Sequence, residues 1–220
     1  MSKSNRQLQM DVLQELKFEP SIDAAGIGVT TKDGIVSLRG SVKSYAEEYT
    51  AVHAAERVAG VKAVTDELTV DLPSTHVRND EDIAAAVLHT LKWDILVPND
   101  CIKVKVADAW VTLDGEVDFN YQKTAAENAV RNLTGVRGVT NLIAIKKTAA
   151  VLPSEVKANI DYALRRAADV DADHITVNVV DDKVILKGTV SSWSERCEAE
   201  RAASSALGVR TVENDLAIAA

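Results

Sequence analysis

Cysteine is nearly missing from this chain. Cys101 and Cys197 are the only two in 220 residues, far apart and outside any CxxC. That excludes a disulfide framework and reads as two free thiols in a reducing compartment. Long apolar runs are missing too. No stretch approaches the roughly 18 residues a membrane span needs. The opening MSKSNRQLQMDVLQELK breaks every apolar residue with polar ones, so it holds no signal-peptide core of about 7–15 residues. Together these absences favour the cytoplasm, or the periplasm if the chain is a processed form with a new Met. Positive charge is short: 25 Lys and Arg against 33 Asp and Glu, net −8. Phosphate binding needs a basic stripe, so no nucleic-acid partner is expected. A purely electrostatic grip on anionic lipid is disfavoured for the same reason.

Catalytic and cofactor motifs are equally scarce. AGIGV (Ala25 to Val29) holds Gly-x-Gly but not GxGxxG, and no Walker sequence occurs. His76, His89 and His174 are scattered, with no Ser/His/Asp or Cys/His set. His53 and Glu56 stand at helical i, i+3 spacing, but no further ligand supports them as a metal site. Asp80-Glu81-Asp82 and the run with Asp169, Asp171 and Asp173 read as solvated faces. DVDAD resembles a calcium loop but lacks its closing Gly and Glu. No enzyme, cofactor or metal is expected.

What the chain does have is itself, three times. DGIVSLRG (Asp33 to Gly40) returns as DAWVTLDG (Asp108 to Gly115) and DDKVILKG (Asp181 to Gly188). The same offsets, 75 and 73, align Gly60, Gly135 and Gly208, and Leu16, Leu91 and Leu164. Repeats of this kind decide the architecture before any local reading does.

Each copy opens with apolar residues at helical spacing: Leu8, Val12, Leu16; Ile83, Val87, Leu91; Val156, Ile160, Leu164. Alternating Ile and Val then mark a strand, and the quoted motif supplies a turn and a second strand. The Asp is expected to bond nearby backbone N–H groups in the turn. Gly40, Gly115 and Gly188 are expected to end that strand. SYAE (Ser44 to Glu47) and SWSE (Ser192 to Glu195) fit capping boxes for a second, alanine-rich helix; the middle copy is expected to start from Asp118 or Asn120. Gly60, Gly135 and Gly208 are expected to cap its C-terminus, and a third strand follows. The expected fold is α+β: three tandem α-β-β-α-β modules, each two helices on a three-stranded mixed sheet. The bounds are residues 1–73, 74–150 and 151–220. Such short units bury little surface alone, so the copies are expected to touch one another or a partner.

This unit resembles the BON domain. The resemblance rests on Val-x-Leu-x-Gly-x-Val, on Gly60-Val61, Gly135-Val136 and Gly208-Val209, and on Asn141 and Asn214 before the last strand, where the first copy has Asp66. It implies a bacterial protein linked to osmotic or envelope stress, non-enzymatic, with modules that bind phospholipid or associate with membranes. Some such proteins bind potassium in the cytoplasm; most carry a signal peptide and act in the periplasm, where this chain departs from the pattern.

One segment stands out between copies. After the first helix the middle copy reads KWDILVPND, where the others read KFEPSIDAA and RRAADVDAD. Trp93, Ile95, Leu96 and Val97 make it apolar for a loop. It can enter a membrane interface, where Trp is favoured, dock a protein, or pack against a neighbouring copy. Trp193 at the start of the last copy's second helix reads as structural, and Trp110 in the hairpin as surface or inter-copy packing. The expected partners are a phospholipid surface or a protein, with potassium and homo-oligomerisation as alternatives.

Overall fold

The computed structural model describes residues 3–146, 151–167 and 170–219. Thr148 in the second junction and Asp169 of the acidic run lie outside them. Module 1 is built from α1 (Asn5–Phe18), β1 (Ile27–Lys32), β2 (Ile35–Val42), α2 (Tyr45–Glu56) and β3 (Ala63–Val70). Module 2 has α3 (Asp80–Trp93), β4 (Ile102–Ala107), β5 (Trp110–Val117), α4 (Asn120–Arg131), β6 (Gly138–Asn141) and β7 (Ala144–Ile145). Module 3 has α5 (Pro153–Arg166), β8 (Ile175–Val180), β9 (Lys183–Val190), α6 (Trp193–Ser204) and β10 (Thr211–Ile218). The fold is the expected α+β, with repeated modules and mixed sheets. In each module the first two strands pair antiparallel and the third joins the second in parallel.

The apolar stripes do what their spacing demands. Leu8, Val12 and Leu16 of α1 meet Val36 and Leu38 of β2 and Ala51, Ala54 and Ala55 of α2 in one buried cluster. The other modules repeat it with their own residues. Alanine on the inner face of the second helix brings that helix close to the sheet. Deleting a buried Leu from such a core costs about 2–5 kcal/mol.

Three local expectations are corrected. Asp33, Asp108 and Asp181 take left-handed backbone angles, φ 53°, 53° and 55°. Short polar side chains tolerate that region best. Their carboxylates accept no hydrogen bond among the described residues; in modules 1 and 2 the first helix caps the turn instead. Asn5 Oδ1 accepts the Asp33 amide at 2.9 Å, and Asp80 accepts those of Asp108 and Ala109 at 3.0 and 2.8 Å. Gly40, Gly115 and Gly188 do not end their strands but lie inside them. A Cβ there would collide with the carbonyl oxygens of Gly26, Cys101 and His174 on the facing chain. Gly60, Gly135 and Gly208 come four residues after the helix ends and close a separate turn at φ 99°, 97° and 91°. That turn sends Val61, Val136 and Val209 into the cores. In module 2, α4 starts at Asn120, one of the two expected positions, with Phe119 as its N-cap.

Candidate functional site

The apolar loop of module 2 is built from the end of α3. Asp94 caps the helix: its Oδ1 accepts the Leu96 amide at 2.9 Å, and its carbonyl accepts the Val97 amide at 3.1 Å. This turn holds Trp93, Ile95 and Leu96 outward, 77%, 97% and 52% exposed. Val97 goes the other way. It is buried in the module 2 core, so the expected apolar surface has three members rather than four. Ile22 and Val170, at the equivalent positions, also pack inward. The first residue of the segment is surface in two modules: Phe18, the counterpart of Trp93, is exposed as well.

Beside the equivalent loops of modules 1 and 3 sits a buried acidic anchor that the capping-box reading only half describes. Ser44 and Ser192 cap α2 and α6 as expected. The Glu three residues on does more. Glu47 accepts the amides of Lys43 and Asp23, both at 2.7 Å. Glu195 accepts those of Ser191 and Asp171 at 2.6 and 2.7 Å, and the Ser191 hydroxyl. Each carboxylate ties the loop after the first helix to the start of the second. Burial pulls the Glu195 carboxyl up, but these hydrogen bonds outweigh it and hold it below its ordinary value. In module 2 the donor position is Pro98, which has no N–H, and the acceptor is the neutral Gln122. Its Oε1 takes the Asp118 and Phe119 amides at 3.0 Å.

Asn141 and Asn214 also have a defined task. Their Nδ2 groups donate to a helix carbonyl and a helix carboxylate: Lys123 O and Glu127 in one case, Arg196 O and Glu200 in the other. Asp66 in module 1 cannot donate. It faces Glu48, whose carboxyl is pushed up to about 7 by burial and by the Asp66 charge.

The modules meet through their second helices, and sequence reasoning missed these junctions. Tyr45 packs onto the module 2 core. The Arg131 guanidinium lies 3.3 Å from the centre of the Tyr49 ring, which stacks on His53 at 3.9 Å. Burial, then the Arg131 charge, holds His53 below its usual value, while burial raises Tyr45, Tyr49 and Glu56. At the next junction Asn120 Nδ2 donates to Ser204 Oγ at 3.0 Å. At the last, Ser191 and Ala219 face Asp33, Gly34, Gly60 and Lys62 across a cavity of about 530 Å³. There the Cys197 thiol is pushed up by partial desolvation and by the charges of Glu56 and Glu200. Tyr45 and Asn120 are equivalent positions; so are Tyr49 and Cys197, and so are Glu56, Arg131 and Ser204. One contact pattern therefore runs from module 1 to 2, from 2 to 3, and back from 3 to 1.

Trp110 is a surface residue, as expected, and packs within its own module rather than between copies. It lies over Gly138 on the neighbouring strand and donates to Thr140 Oγ1 at 2.8 Å. His53 Nδ1 and Glu56 are 3.7 Å apart. Among the described residues no group of three or more His, Cys, Asp or Glu could hold a metal ion, and no helix is long and apolar enough to cross a membrane.

The BON domain family model matches residues 4–71, 79–147 and 154–220. The chain belongs to the BON domain family. It is also similar to osmotically-inducible protein Y of Escherichia coli (strain K12), 34% identical over 125 residues. The match covers 55% of this chain and 62% of that protein. Among solved structures it aligns with CdsD, a structural protein of the type III secretion system of Chlamydia trachomatis. Identity is 14% and the TM-score 0.28, over 97% of this chain and 92% of that one. The C-terminal domain of the same protein gives the same values over 99% and 100%. A likeness that loose carries no argument about this BON chain.

Proposed function

We propose that this BON protein is a non-enzymatic, osmotic-stress-associated binding protein that attaches to phospholipid surfaces through the module 2 loop. The stress association follows the relative's name. The loop carries the membrane reading: Trp93, Ile95 and Leu96 are held outward by a hydrogen-bonded turn. Fully burying such a side chain is worth about 1.5–3 kcal/mol. Shallow insertion of three therefore gives weak, reversible attachment. With a net charge of −8, that attachment is apolar rather than electrostatic, so salt changes it little.

Flotation with neutral and with anionic liposomes tests this. The protein is expected to float with neutral vesicles, in low and high salt alike, and Ile95→Glu and Trp93→Glu chains are expected to stay behind. Binding that survives both substitutions, or no flotation at all, removes the loop as a membrane contact.

A second reading, an ion-responsive protein that takes up potassium, is favoured by one observation. Glu48 and Asp66 are two carboxyls facing each other where the other modules place an amide. A cation between them would relieve their repulsion.

A further inference from the structure

The three junctions are heterologous. Each uses one end of a module, at the start of its second helix, and the opposite end of the next, at the finish of that helix. An interface of this type either closes into a ring or continues from molecule to molecule. Here it closes, but not equally well at all three places.

The first two junctions are fastened. Tyr45 and the Arg131–Tyr49 contact hold modules 1 and 2, and Asn120 bonds Ser204 between modules 2 and 3. Modules 1 and 2, and modules 2 and 3, are also consecutive in the chain. Modules 3 and 1 have no such connection. No hydrogen bond, ion pair or aromatic contact joins their described residues, and the cavity of about 530 Å³ separates Ser191 and Ala219 from Gly34 and Lys62. This is the seam of the ring.

We propose that the seam opens, and that its two surfaces then dock module 3 of one copy onto module 1 of another, so that the chain assembles head to tail. The occupant of each surface is a second copy because the two surfaces already face each other within one chain, in the arrangement the first two junctions use. Closure within the chain competes at an effective concentration in the millimolar range for short connections, so assembly belongs to high concentration or to an opened seam.

A charge-swap pair tests this in the full chain. Cys197→Glu sets a carboxylate against Glu56 and opens the seam; the double change Cys197→Lys, Glu56→Lys opens it with two like positive charges and complements the first chain at both surfaces. By sedimentation velocity each chain alone is expected to run as a monomer at about 100 µM, well below the millimolar competition, and the equimolar mixture as a dimer. Ala219→Arg, set against Lys62, mixed with the double change Ala219→Glu, Lys62→Glu repeats the design on two exposed residues and guards against a folding defect in the first pair. Dimers in either mixture, absent from the separate chains, support head-to-tail docking. Monomers in both mixtures overturn it, as do dimers that form equally in every separate chain.

Discussion

At the residue scale the three copies annotate one another. Asn141 and Asn214 show what their position does: an amide donates to the helix and its oxygen holds the strand. Asp66 keeps the second half, accepting the Leu68 amide at 2.9 Å, and loses the first. Glu48 bears the consequence, with its carboxyl up to about 7. A carboxyl raised on folding binds its proton more tightly in the native state. Its favourable contribution is complete below the ordinary value near 4.5 and is lost as pH rises to about 7. Asp66→Asn should therefore raise stability at pH 8 and change little at pH 4. After solvent screening the gain is about 1 kcal/mol, or roughly 2–4 °C in midpoint for a chain of this size. Thermal unfolding at the two pH values measures it. In potassium against sodium at equal ionic strength, the same scans test the ion reading, because a selective native-state ligand must raise the midpoint. Equal midpoints would remove that reading. A Tm gain equal at both pH values would mean that Glu48 does not titrate in this window.

Elements were legible where local rules set them and opaque where a distant partner did. Helix stripes and strand alternation in the sequence predict every helix and the hairpins, because periodicity is fixed by which face meets the core. Val97 was misplaced because it was read within an apolar run; alignment with Ile22 and Val170 carried the signal that it plugs the core. The reason for Gly40 lay across the sheet, at Gly26, and no local pattern reveals a partner across a ladder. The anchor beneath each second helix was half legible: Ser-x-x-Glu announces a cap, but Glu47 reaches 24 residues back to Asp23. Its physics makes Glu47→Gln informative. One oxygen would still accept an amide, while the new NH2 group would face another N–H donor. An unmet buried donor costs about 1–3 kcal/mol. The reverse change in module 2, Gln122→Glu, leaves a carboxylate oxygen facing Pro98 with nothing to accept from. Both chains should unfold at lower urea than the parent, with the slope unchanged. If Glu47→Gln is neutral, the Asp23 and Lys43 amides are satisfied by water and the anchor is not structural.

For the whole molecule, the repeat in the sequence counts the modules but does not arrange them. Junctions join unlike positions of successive copies, Tyr49 to Arg131 and Asn120 to Ser204, so no periodicity displays them. Their chemistry even differs from one junction to the next. A reporter for the arrangement is already present in His53. Burial against module 2 and the nearby Arg131 charge both disfavour its imidazolium. In the intact chain its NMR titration should fall below the ordinary value of 6.5. Arg131→Ala removes a charge and a cation–π contact worth about 0.5–2 kcal/mol. It should move the His53 titration upward while leaving the cores of modules 1 and 2 folded, since Arg131 belongs to neither. The sign matters: loss of a positive neighbour makes protonation easier, so the titration can only rise if Arg131 is near. An ordinary His53 titration in the parent chain, unmoved by Arg131→Ala, would mean that modules 1 and 2 do not dock through α2 and α4 in solution. With that junction gone, the ring and its seam would go as well, whereas the three separate modules and the exposed Trp93 loop would stand unchanged.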